Sequence, residues 1–162
     1  MKKFTIQAIL LILVIGIMLY FFKPGGRSIP FPFLPQAVSP STLQINGASL
    51  KVEIADTPQE RSKGLGGREA LASGSGMLFV FAKADKYSFW MKGVKFPLDF
   101  IYIKEGKVVD IIQNVPPPKE GEKDENLPIY QPKLAVDEVL EVAAGTVKNL
   151  DIKEGDTVKL SQ

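Results

Sequence analysis

Residues 4–22, FTIQAILLILVIGIMLYFF, contain no charged side chain, and only Thr5 and Gln7 are clearly polar. Such a run has no polar stripe to turn toward water, so it does not read as a surface helix. As a helix it would extend about 28 Å at ~1.5 Å per residue, close to the hydrocarbon core of a bilayer. Thirteen of its residues are Leu, Ile, Val or Phe. At about −0.3 to −0.6 kcal/mol each, they favour insertion by roughly 4–8 kcal/mol. The expectation is one N-terminal transmembrane helix. A cleaved signal peptide would have a shorter apolar region ending in small residues. This run ends in Leu19, Tyr20, Phe21 and Phe22, which favours an uncleaved signal anchor. Lys2 and Lys3 precede the span and Lys23 and Arg27 follow it, so charge orients it weakly. Its terminal position places the amino terminus inside and the remainder on the extracytoplasmic (periplasmic or cell-surface) side. The lipid bilayer is therefore an expected partner.

Residues 23–40, KPGGRSIPFPFLPQAVSP, carry five prolines and two glycines. Fixed φ angles and missing N–H donors favour an extended, semi-rigid linker. Residues 41–162 form the expected globular domain. The chain has 20 basic and 18 acidic residues, and four of the basic ones fall before residue 40. The domain is thus close to neutral and shows no electrostatic footprint for nucleic acid. The chain has no cysteine and no histidine. Disulfides, Ser-His-Asp triads, Cys-His pairs and His-bearing zinc sites are all excluded for the chain alone. No oxygen-ligand metal spacing of the EF-hand type is present, and no cofactor is indicated.

Within the domain, Asn46-Gly47 separates two apolar runs, a signal for a two-residue hairpin. Leu50, Val52 and Ile54 alternate with Lys51 and Glu53 as in a half-buried strand. Thr57, Pro58 and Glu60 have the spacing of a capping box with proline in the first turn, and Gly64, Gly66 and Gly67 stop the short helix that follows. GMLFVF (76–81) is apolar on both alternating faces and predicts a central strand. YSFWMK (87–92) predicts another strand, and Glu105-Gly106 a second hairpin. VPPPKEGEKDENLPIYQPK (115–133) is a long proline-rich, charged loop of the kind that serves as a lid. EVLEVAAG and DTVKLS read as further strands, with a short helix between them capped by Thr146. The expected fold is mainly β: an antiparallel barrel or sandwich of about eight short strands with two short helices. Neither helix is long enough for regular parallel crossovers.

Five stretches, VEIADTPQERSKGL, GMLFVF, FWMKGVKFPLDFIYI, VLEVAAG and IKEGDTV, occur in this order. In combination they resemble the bacterial and archaeal family called domain of unknown function 192, over about residues 43–160. The resemblance implies a small β-rich domain, often exported or anchored. The chain departs from the family pattern at two places. Gly66-Gly67 replaces a methionine and a bulky residue, and Gly93-Val94 follows FWMK where relatives carry Asn-Thr.

FWMKGVKFPLD (89–99) holds the only tryptophan and poses the functional question. Alternation puts Tyr87, Phe89 and Met91 on one face and Ser88, Trp90 and Lys92 on the other. Trp90 reads either as core or as a stacking wall with Lys92 beside it. Asp99, at a strand entry, reads either as a turn carboxylate or as a site acid. Arg61 is a candidate anion clamp, and Arg68 follows two glycines where backbone can approach a ligand. Tyr130 is either a loop anchor or a closing residue. The expected ligand site joins Arg61, Arg68, Trp90, Lys92, Asp99 and Tyr130. The expected function is a membrane-anchored accessory domain binding a small polar ligand, an envelope polysaccharide or a membrane-protein partner. One alternative is a carbohydrate-active hydrolase using Asp99 or Glu141 as acid or base beside Lys92; it requires two carboxylates in one cleft. The other is a structural subunit of a membrane complex, which requires a contiguous apolar surface.

Overall fold

A computed structural model describes residues 41–161. Strands β1 (Ser41–Ile45) and β2 (Ala48–Ala55) pair antiparallel around Asn46-Gly47. Both turn residues have positive φ, 46° and 75°, which asparagine and glycine tolerate at little cost. The Asn46 amide also donates to the Leu150 and Asp151 carbonyls at 3.0 and 3.1 Å, tying the hairpin to the C-terminal segment. Helix α1 (Pro58–Lys63) starts with the expected capping box. The Glu60 N–H donates to the Thr57 hydroxyl at 3.2 Å, and the Thr57 N–H donates back to the Glu60 carboxylate at 3.1 Å. Then follow β3 (Ser75–Asp85), β4 (Leu98–Lys104), β5 (Lys107–Val115), β6 (Val136–Ala143), helix α2 (Thr146–Asn149) and β7 (Val158–Ser161).

The seven strands form one sheet in the order β5-β4-β6-β3-β2-β1-β7. The expectation of an antiparallel barrel or sandwich of eight strands is corrected in two respects. The sheet is mixed, because β2 and β3 pair parallel, with Val52 opposite Gly76 and Ala55 opposite Phe79. A parallel crossover needs a dozen or so residues rather than a long helix, and residues 56–74 supply it with the single short helix α1. The other correction concerns residues 87–92. They run extended but form only one isolated bridge, Phe89 with Tyr130, whose N–H groups donate to each other's carbonyls at 2.8 Å. At the far edges the sheet curls until residues 106–108 meet residues 155–158, with the Val158 N–H donating to the Gly106 carbonyl at 2.8 Å. The result is a half-barrel. Helix α2 is capped by Gly145, not by Thr146; the Thr146 hydroxyl donates instead to the Ala143 carbonyl at 2.6 Å.

Alternation along the strands divides the core in two. One cluster gathers Leu43, Val52, Leu78, Ile101, Leu140 and Val147. The other gathers Phe79, Phe89, Met91, Phe100, Tyr102 and Val139 on the opposite side of the sheet. GMLFVF fills both, through Leu78 on one side and Met77 and Phe79 on the other, as expected of the central strand. Within it, a Cβ on Gly76 would lie 2.8 Å from the Glu141 carbonyl oxygen and 3.0 Å from Leu140 Cδ1. The backbone of β6 has no room to give way. Gly76→Ala is expected to lower stability by about 1–3 kcal/mol, read as a shift in the urea midpoint; an unchanged midpoint would refute this contact.

Among the described residues no helix is long and apolar enough to cross a membrane. The run at 4–22, on which the transmembrane expectation rests, and the linker at 23–40 lie outside the described residues. Bilayer attachment therefore has no counterpart in the described structure. The described residues likewise supply no observation for an extracytoplasmic location or for a polysaccharide or membrane-protein partner.

Candidate functional site

A cavity of about 130 Å³ lies on the side of the sheet covered by α1 and residues 87–94. It comes from three local decisions of the sequence. Gly64-Leu65-Gly66 ends α1 and turns the chain over the sheet; a Cβ on Gly66 would lie 3.0 Å from the Lys63 carbonyl and 3.3 Å from the Lys92 carbonyl. Glycine there lets the α1 turn and the 87–94 segment approach backbone to backbone, and the Gly67 N–H donates to the Gly93 carbonyl at 2.8 Å. Phe79 and Phe81 of β3 then form one wall, and Phe89 and Trp90 another.

The side chains of this cavity are held from several directions. Phe81 stacks face to face on Tyr87 with ring centroids 3.6 Å apart. The Arg61 guanidinium lies 5.2 Å from the Phe81 ring centroid, donates to the Val80 carbonyl at 2.9 Å and also to the Asp56 carbonyl. Its partners are neutral carbonyls, so its charge is not cancelled. Trp90 is 45% exposed, with the Lys92 ammonium 5.3 Å from its ring centroid. Lys92 also pairs with Asp124 at 2.6 Å, both side chains being well exposed.

Glu141 of β6 reaches this cavity from the sheet. In register it sits between Met77 on β3 and Phe100 on β4, and it is 4% exposed. Burial alone, with no opposing hydrogen bond or cation, pushes its carboxyl up to about 8. At neutral pH it is mostly protonated and offers an O–H donor as well as an acceptor. Diagonally across from it, Tyr102 is fully buried and its hydroxyl has no hydrogen-bond partner. Desolvation, with the Asp110 and Glu141 charges adding to it, raises the Tyr102 hydroxyl well above its ordinary range.

Of the residues expected to form the site, Arg61, Trp90 and Lys92 meet at this cavity with Glu141; Arg68, Asp99 and Tyr130 do not. Arg68 is spent on a bidentate pair with Glu53 of β2 at 2.5 and 2.7 Å, which also holds the Glu53 carboxyl below its usual range. Tyr130 anchors its loop through the bridge to Phe89 and an edge-on contact with Phe100, centroids 5.6 Å apart. Asp99 is fully buried and accepts from the Asn114 and Val147 backbone N–H groups at 2.9 and 3.0 Å. Asp99 pairs with Val142 and Glu141 with Phe100, so the two carboxylates occupy opposite faces of the sheet. The carbohydrate hydrolase, which needs both in one cleft, is thereby overturned. The structural-subunit alternative fares no better: among the described residues the exposed large apolar side chains are limited to Trp90, Ile129, Leu134 and Leu160. Among the described residues no three or more His, Cys, Asp or Glu side chains are grouped together.

What sequence reasoning missed was the role of Glu141 as a polar floor. The signal was present in VLEVA, where a carboxylate has apolar neighbours on both sides within a buried strand.

The exposure of Trp90 and Lys92 fixes their energetic weight. Trp90→Ala is expected to cost well under the ~3–5 kcal/mol of a fully buried aromatic, and Lys92→Ala no more than ~1 kcal/mol. Urea denaturation checks both; a loss of several kcal/mol in either would place that residue in the core.

Comparison with known proteins agrees with the fold. Residues 41–160 match the DUF192 family, described as "Uncharacterized ACR". No curated protein matches the chain. Among solved structures, a "putative transcription regulator" from Sinorhizobium meliloti 1021 is 31% identical with a TM-score of 0.69; the match covers 78% of this chain and 98% of that one. A protein of unknown function from Novosphingobium aromaticivorans DSM 12444 is 30% identical with a TM-score of 0.64, over 74% of this chain and 83% of that one.

Proposed function

We propose that this chain, which belongs to the DUF192 family, is a ligand-binding domain whose site is the aromatic cavity floored by Glu141. The observation that carries this reading is the Glu141 carboxyl itself, 4% exposed and lining a cavity rather than packed into a hydrogen-bond network. A buried carboxyl without partners costs free energy that a fold selected for stability alone would shed by substituting an apolar residue. Polar groups of this kind persist where a ligand completes them. The cavity is of the order of the ~150 Å³ engineered void that admits benzene, so it matches a ligand with a single six-membered ring. The aromatic walls would take the apolar body, and Glu141 would take one polar group.

Trp90 is the only tryptophan in the chain and lines the cavity, so its fluorescence reports occupancy directly. Titration with a set of soluble monocyclic fragments, including neutral, anionic and cationic members, is expected to yield compounds that shift Trp90 emission. Those compounds should also perturb the backbone amides of residues 64–66, 79–81 and 141. A set with no member that does both would overturn the reading.

A further inference from the structure

We propose that the ligand class is a small aromatic or cyclic carboxylic acid, bound as its anion with one carboxylate oxygen accepting a hydrogen bond from Glu141. This deepens the preceding reading and rests on it. Three observations select the anion over a neutral or cationic molecule. The cationic side chains lining the cavity are Arg61, Lys63 and Lys92, and the only acid lining it is Glu141. Lys92 has Asp124 as a partner, whereas Arg61 donates to two carbonyls and keeps a charge that an anion can meet. The floor, 4% exposed, presents its carboxyl in the neutral form at pH 7. A carboxylate arriving there meets an O–H donor, and an acid–carboxylate pair is a strong, charge-assisted hydrogen bond. An ammonium would meet three cations in the lining and would have to draw the proton off Glu141.

The same geometry couples binding to a proton. The groups facing Glu141 from the elements around it are Arg61 and Lys63 of α1, Tyr87 and Lys92 of the extended segment, and Tyr102 of β4, with Asp110 beyond Tyr102. No ionised acid lines the cavity, so the anion's only repulsive partner would be Glu141 itself once it loses its proton. Affinity is therefore full between about pH 5, where a carboxylic acid is ionised, and about pH 8, and falls about ten-fold for each pH unit above that.

Benzoate, benzamide and benzylamine, titrated into the full-length chain at pH 6 and pH 9 with Trp90 emission and amide shifts as readouts, test the proposal. Benzoate is expected to bind best at pH 6 and to weaken about ten-fold at pH 9. Glu141→Gln, which keeps an N–H donor but cannot ionise, is expected to bind benzoate with little change between the two pH values. The same lining cations are present in that variant, so a pH effect arising from them would persist in it and overturn the role given to Glu141. The wild-type comparison of the three probes stands even if the variant fails to fold. Benzamide binding as well as benzoate, or benzylamine binding better and gaining at pH 9, would overturn the anion class while leaving the cavity as a ligand site. Silence of all three probes would also overturn the class. If the broader fragment set is silent too, the cavity reading itself fails.

Discussion

Glu141→Gln is expected to change the pH dependence of folding more than any other single substitution. In the folded chain the carboxyl is raised to about 8 from an ordinary value of 4.5, by burial. Below pH 4.5 both folded and unfolded chains hold the proton, and the stability associated with it is fully present. Between 4.5 and 8 the unfolded chain releases the proton and the folded chain does not. Stability then falls by about 1.4 kcal/mol per pH unit. Above 8 both are ionised and the loss is complete. The accumulated loss at pH 8 is of the order of 4 kcal/mol, a large part of the ~5–15 kcal/mol that holds a domain together. Glutamine removes this dependence, so variant-minus-wild-type stability, from urea denaturation at several pH values, should rise by a few kcal/mol between pH 4.5 and 8. The difference is the proper quantity, because Glu53, Glu60 and Asp110 have lowered carboxyls, which act in the opposite sense in both proteins. Parallel curves would mean that Glu141 is hydrated and ionised in the folded chain, and would remove the support for the cavity as a ligand site.

Asp99→Ala is the second large effect, and it should be an effect on folding alone. Gly145 caps α2 with no side chain to offer, so the Val147 N–H in the first turn looks elsewhere for an acceptor. Asp99, reaching across from β4, provides it at 3.0 Å. Its other oxygen holds the Asn114 N–H at 2.9 Å, where the chain takes a positive φ of 57° near the end of β5. Alanine would leave both N–H groups without acceptors, at about 1–3 kcal/mol each, for a total of about 2–6 kcal/mol. Any fragment that shifts Trp90 in the wild type should bind the folded fraction of this variant unchanged, since Asp99 faces away from the cavity. Near-native stability, or selective loss of binding, would return Asp99 to the site.

Much of the fold was legible because it is decided locally. Asn46-Gly47 and Glu105-Gly106 specify hairpins through the φ > 0 positions that such turns demand. Thr57, Pro58 and Glu60 specify a helix start through hydrogen bonds made within four residues. GMLFVF specifies a central strand by being apolar on both faces. Alternation also separated the faces of residues 87–92 correctly: Phe89 and Met91 are buried, while Trp90 and Lys92 are exposed. Local reasoning failed where a partner was distant. The parallel pairing of β2 with β3 depends on which strand edge is free when the chain returns from α1. The 87–92 segment looked like a sheet strand by composition, yet it found only Tyr130 to pair with.

The site divides in the same way. The sequence by itself determined that this chain supplies no histidine or cysteine for chemistry, and that Arg61, Trp90 and Lys92 are side chains available for a site. Only the tertiary structure decided that these three converge, that Arg68 is consumed by Glu53 and Asp99 by two backbone amides, and that Glu141 lies under the cavity. The physical reason is that a carboxylate's role is set by its surroundings. Asp99 and Glu141 occupy neighbouring strands one residue out of step, and the pleat turns them to opposite faces. One finds two N–H donors and becomes structural; the other finds aromatic rings and an opening, and keeps its proton.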